Sequence, residues 1–147
     1  MALKNYTSTQ SVFKSAMELE RILVDHGAMQ IQKDTADGKI TALRFIVNTA
    51  VGIVPFELPV NVEAVYKKLE QDKKSNARVK LGFEQAERTA WKCLLDWTAA
   101  QMALIEIGMV KMEQVFLPYA VNKDGRTFFE MIAAKGFYLM DGDDVNE

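Results

Sequence analysis

Six basic side chains, Lys67, Lys68, Lys73, Lys74, Arg78 and Lys80, crowd into one short stretch with only Glu70 and Asp72 against them, so Lys67 to Lys80 carries +4. Clustered ammonium and guanidinium groups neutralise phosphates and release counterions, which makes single-stranded DNA or RNA the ligand class that this stretch favours. Lys33 and Arg44, on a predicted hairpin, extend the expected basic surface, with Phe45 or Phe56 as rings on which bases stack. The plainer reading of the same residues is a solvated helix end and loop. The whole-chain charge of −2 also argues against tight nonspecific binding. Asp141, Asp143, Asp144 and Glu147 place −4 on the last seven residues, predicted to be a mobile tail that competes for the basic patch.

Other chemistry finds little to stand on. His26 is the only histidine and Cys93 the only cysteine. His26 is predicted to close a helix, where the negative end of the helix dipole favours an imidazolium. Cys93 lies within an apolar helical pattern and reads as a small buried hydrophobe. Nucleophilic catalysis needs a base within reach of the nucleophile, and this placement signals none. No histidine, cysteine or carboxylate cluster has metal-ligand spacing, and Gly125-Arg126-Thr127 lacks the upstream glycine and the Gly-Lys-Ser/Thr sequence of a phosphate loop. Among Glu57, Glu63, Asp96 and Glu106 nothing selects a carboxylate pair. The expectation is a protein without a catalytic site, metal or cofactor.

The elements that would position the basic residues follow from periodicity. Thr7 and Gln10 have capping-box spacing, and Val12, Ala16, Leu19 and Leu23 repeat helically, so a first helix is predicted from about Ser8 to Asp25, stopped by Gly27. Met29 to Lys33 and Ile40 to Asn48 flank a turn containing Asp37-Gly38 and read as a hairpin. Ile53 to Leu58 is a third strand, set at an edge by Pro55. Asn61 opens a helix from Val62 to about Lys73 that carries the first lysines, and Gln71 to Lys80 either frays it or links it to the next. Short helices are expected over Lys111 to Leu117 and Arg126 to Lys135.

Phe83 to Gly108 forms the long central helix of this scheme. Glu84, Arg88, Lys92 and Asp96 make a stripe predicted to face water, with opposite charges paired four residues apart at its two ends. Ala90, Leu94, Trp97 and Leu104 lie opposite, with Gln101 in their midst, an amide that needs partners when buried. Beyond Asp96 the solvent stripe gives way to Ala99, Met102 and Ala103. Either the domain itself covers this half or a second copy does. The second possibility makes Ala99, Gln101, Met102 and Ala103 candidates for a homo-oligomer interface.

Gly82-Phe83 with Ala86, Arg88, Trp91, Asp96-Trp97, Ala100-Gln101, Glu106 and Val115-Phe116-Leu117-Pro118-Tyr119 resembles a family of small, uncharacterised bacteriophage and prophage proteins. Asn5-Tyr6-Thr7, His26-Gly27-Ala28 and Phe56 to Glu63 fit the same resemblance, which covers Asn5 to about Tyr119. It implies a phage origin and proximity to replication or recombination genes, and carries over no catalytic residue, cofactor or substrate.

With 147 residues, about half of them apolar, the chain is predicted to form one α+β domain, residues 1–140, followed by the acidic tail 141–147. The expected order is α-β-β-β-α-α, with about three antiparallel strands packed on helices. No apolar run spans a membrane and no leader is recognisable, so the host cytoplasm is the expected location. The expected function is a non-enzymatic phage accessory protein binding single-stranded or exposed nucleic acid. The alternatives are a protein-interaction module acting on a host protein and a protein that sequesters a small nucleotide.

Overall fold

The computed structural model describes residues 2–136, and the acidic tail expected at 141–147 lies outside them. The fold is α+β, in the predicted order: α1 (Val12–Asp25), β1 (Ala28–Ala36), β2 (Lys39–Thr49), β3 (Gly52–Glu57), α2 (Val62–Lys73), α3 (Phe83–Glu106), α4 (Met112–Phe116), a 3₁₀ turn (Leu117–Tyr119) and α5 (Phe128–Lys135). The three strands form one antiparallel sheet in the order β1-β2-β3.

The hairpin is tighter than its predicted strands. Asp37 and Gly38 both take positive φ, +53° and +76°, and make the two-residue turn whose twist matches the strands on either side. β2 then alternates, with Leu43, Phe45 and Val47 buried on the face toward the helices. Phe45 stands opposite Phe56 across the β2–β3 ladder, their ring centroids 5.3 Å apart. Phe116 meets Phe45 edge-on at 5.4 Å and Trp97 at 5.5 Å, which ties the sheet, α3 and α4 into one core.

Pro55 sits where its missing N–H costs least. β3 is flanked on its outer side by a bridge from Phe56 to Ala120, and Val121 N–H donates to the Pro55 carbonyl at 2.9 Å.

The first helix begins later than predicted. Ser11, not Thr7, is its cap, its hydroxyl accepting from the Lys14 N–H at 3.1 Å. Gln10 instead reaches forward, donating its amide to the Ser15 hydroxyl at 2.9 Å. Residues 2–10 are therefore free to do something else, and they form a strap along α3. Gln85 donates to the carbonyls of Tyr6 and Ser8, the Thr89 hydroxyl to the carbonyl of Asn5, and the Cys93 thiol to that of Lys4. Asn5 adopts φ +64° at the bend. Leu3 and Tyr6 drop into a second apolar cluster with Leu69, Val79 and Ala86, between α2 and α3.

The strap corrects the picture of α3. Of the stripe predicted to face water, only Glu84 is exposed, while Arg88, Lys92 and Asp96 are partly covered. Lys92 pairs with Asp96 at 3.4 Å as expected, but Arg88 turns from Glu84 to donate to the Gln85 side-chain oxygen at 2.7 Å. In the second half of the helix, Met102 packs in the chain's own core at 1% exposure, along with Leu95 and Thr98, while Ala99 and Ala103 are exposed and Gln101 is half-buried. Met102 is thus covered by the domain itself.

Candidate nucleic-acid interface

Sequence and local geometry set the basic segment at one end of the α2–α3 pair. Asn61 caps α2 by accepting from the Ala64 N–H at 3.0 Å, and the helix carries Lys67, Lys68 and Lys73 before unwinding at Lys74. Internal contacts fix the linking loop, with Asn76 N–H donating to the Asp72 carbonyl at 2.9 Å and Val79 N–H to that of Asn76 at 3.2 Å. Asn76 accepts from the Arg78 N–H at 3.0 Å, and Lys73 donates its ammonium to the Val79 carbonyl at 3.1 Å, holding buried Val79 under the loop.

Each candidate has a definite neighbourhood. Lys68 is paired with Asp72 at 2.7 Å, and that contact, with the Leu3 N–H, holds the Asp72 carboxyl below its ordinary range. Lys67, Lys74, Arg78 and Lys80 are exposed and make no ion pair among the described residues. Because a carbonyl contact does not neutralise Lys73, five positive charges face the single negative charge of Glu70, and the +4 read from sequence survives folding.

The two hairpin candidates are not part of this surface. Lys33 lies opposite Leu43 and reaches Glu20 of α1 at 3.2 Å, on the helix side of the sheet. Arg44 lies on the other face, clasped by Glu57 at 3.0 Å and Asp34 at 3.5 Å. Phe45 and Phe56, expected as stacking rings, are buried in the core. The structure thus separates Lys33 from Arg44 and takes both aromatic partners away from solvent.

A ring that the sequence does not single out stands in their place. Phe83, the first residue of α3 and three positions after Lys80, is 51% exposed. Tyr66 of α2 packs beside it, ring centroids 6.4 Å apart, and the Lys39 ammonium lies 5.8 Å from its centroid. Lys39 in turn donates to the carboxylate of Glu87 at 3.0 Å, and that contact raises the lysine's pKa above its ordinary value. Phe83, Lys39 and Glu87 line a cleft of about 490 Å³ with Asp37, Asn61 and Glu63, and a second cleft of about 380 Å³ shares Lys39 and Glu87. The available signal for Phe83 is its position immediately after the basic loop. Its apolar character instead assigns it to the interior of the helix.

The remaining reactive groups are occupied. Burial pushes the Cys93 thiol up, and its Sγ donates to the Lys4 carbonyl at 3.2 Å. His26 closes α1, with Nδ1 2.7 Å from the Ile22 carbonyl and Nε2 3.8 Å from Glu106. Among the described residues no group of three histidine, cysteine or carboxylate side chains could hold a metal ion, and no helix is long and apolar enough to cross a membrane. Comparison with models of known protein families, with curated proteins and with solved structures found no match to this chain.

Proposed function

We propose that this protein binds single-stranded or otherwise exposed nucleic acid without catalysing a reaction, through the α2 end and the loop that follows it. The observation that carries this reading is the set of four exposed cations, Lys67, Lys74, Arg78 and Lys80, free of ion pairs among the described residues and followed at once by half-exposed Phe83. Unpaired cations contact phosphates at no cost in broken ion pairs, and an exposed ring gives a base something to stack on. The resemblance to small phage proteins adds a setting, an accessory role in replication or recombination inside the host cell. The test is fluorescence anisotropy on a single-stranded oligonucleotide at two salt concentrations, with wild type and a variant carrying Lys74→Glu, Arg78→Glu and Lys80→Glu. Salt-sensitive binding by wild type with a flatter slope in the variant is expected, by roughly 0.7 in log–log slope for each phosphate that the variant no longer neutralises. No binding by wild type at low salt overturns the proposal.

A second reading rests on α1. Phe13, Met17 and Val24 are 61%, 62% and 52% exposed, and at ~100° per residue they fall within about 40° of one another on the helix. Such a stripe suits a protein partner, whether a host protein or a second copy. A tight, salt-insensitive protein complex abolished by Met17→Glu, without nucleic-acid binding, favours it.

A further inference from the structure

We infer that the cleft walled by Phe83, Lys39 and Glu87 is a nucleobase subsite, in which one base of a bound single strand stacks on Phe83 and turns its hydrogen-bonding edge to the Lys39–Glu87 pair. This inference rests on the nucleic-acid reading above, which sets phosphates on the loop cations and a base on Phe83, and it gives that base a cleft and partners for its edge.

Three observations bring a base here rather than a phosphate. The ring of Phe83 is half-exposed at the cleft, which Ile40, Val60 and Val62 also line with apolar surface. The cleft is itself acidic: Asp37, Glu63 and Glu87 outnumber Lys39, so a phosphate is repelled from the space into which an uncharged base fits. The cations that would take the phosphates stand just outside, since three virtual bonds of 3.8 Å keep the Cα of Lys80 within about 11 Å of that of Phe83. Phosphates on the loop and a base in the cleft form the same division of labour that single-strand binders use, a charged track beside a stacking platform.

The Lys39–Glu87 pair gives the subsite a preference. Its ammonium donates and its carboxylate accepts, side by side, with the carboxylate side chain only 11% exposed. Guanine presents the matching edge, with O6 as acceptor next to N1–H and N2–H donors, whereas thymine alternates acceptor, donor and acceptor. Several bases can bond both partners, but only guanine sets two donors, N1–H and N2–H, against the two oxygens of the Glu87 carboxylate beside an acceptor for the Lys39 ammonium, so the guanine edge is preferred.

The experiment uses the full chain and two labelled strands, a twelve-residue oligothymidine and the same strand with two central guanines, at low and moderate salt. Wild type is expected to bind the guanine-containing strand more tightly. Phe83→Leu, a surface change checked by circular dichroism, is expected to weaken binding about ten-fold with an unchanged salt slope, as for removal of a stacking platform. Glu87→Gln is expected to erase the difference between the strands. Equal affinity of wild type for both strands, or full affinity in Phe83→Leu, overturns the subsite while a flattened slope in the loop variant leaves the phosphate surface standing. Failure of wild type to bind either strand overturns both.

Discussion

Asn5 donates its side-chain amide to the carboxylate of Asp96 at 2.9 Å, joining residues 91 positions apart and pinning the strap to α3. Burial alone would push the Asp96 carboxyl upward, but Asn5, Lys92 and Lys4 together outweigh it and hold the group below its ordinary value. A carboxyl depressed in the folded state stabilises fully above its unfolded pKa of about 3.9 and loses that contribution as pH falls through the folded value. Asp72, held down by Lys68 and the Leu3 N–H at the other end of the strap, contributes with the same sign. Urea denaturation of Asp96→Asn is therefore expected to show a shallower fall in stability toward acid than wild type. Superimposable pH curves would remove Asp96 from the acid response. At neutral pH, Asn5→Ala is expected to cost about 1–2 kcal/mol, because its partner keeps a half-covered charge.

Met102 and Ala103 are adjacent yet should respond in opposite ways to the same charge. Met102 is 1% exposed and Ala103 lies on the surface. Met102→Glu is expected to abolish cooperative unfolding, since it buries an unpaired carboxylate. Ala103→Glu is expected to leave the fold intact, and light scattering on that variant tests self-association directly: a drop in molar mass relative to wild type assigns Ala99 and Ala103 to an interface.

Phe116 is fully buried where α4 touches both the sheet and α3, with rings of Phe45, Phe56 and Trp97 within 6.0 Å of its own. Phe116→Ala is expected to destabilise by about 3–5 kcal/mol in chemical denaturation. A cost below about 1 kcal/mol would mean that α4 is detached from the core in solution.

Gly38 holds φ +76° in the two-residue turn, where a β-branched side chain is strained. Gly38→Val is expected to cost at least about 1 kcal/mol in the same assay, with Gly38→Asn recovering most of it.

These residues also show how much of the molecule is legible in its sequence. The hairpin, the edge position of β3 and the cap at Asn61 can be read because each is set by local chemistry: paired positive φ at Asp37-Gly38, the absent N–H of Pro55, an amide oxygen three residues before the N–H it accepts from. The strap cannot. Gln85, Thr89 and Asp96 are polar residues on one helix face, and polarity reads as solvent exposure until a strap 77 or more positions away brings backbone carbonyls to the first two and the Asn5 amide to the third. The start of α1 is hidden for a related reason, because Thr7 and Ser11 are both competent caps and only the docking of residues 2–10 on α3 selects the second. Met102 falls among surface residues when the polar stripe is continued past Asp96, whereas the core face of α3 runs through Trp91, Leu95, Thr98 and Met102. At the candidate site the count of free cations is legible within Lys67 to Lys80. The pairing of Arg44 is not, because its two carboxylate partners come from separate strands.

The closure of β3 has a consequence for how copies of this chain can add to one another. A sheet extends into a fibre only when both of its outer strands offer unpaired backbone to a neighbour. Among the described residues the β3 side is taken, by the Ala120 bridge, the Val121 bond and a proline with nothing to donate, leaving β1 as the open side. β1 is also kinked by register shifts near each end. Any pairing through β1 must use that strand in both partners, so it closes as a two-fold dimer and has no second edge from which to propagate.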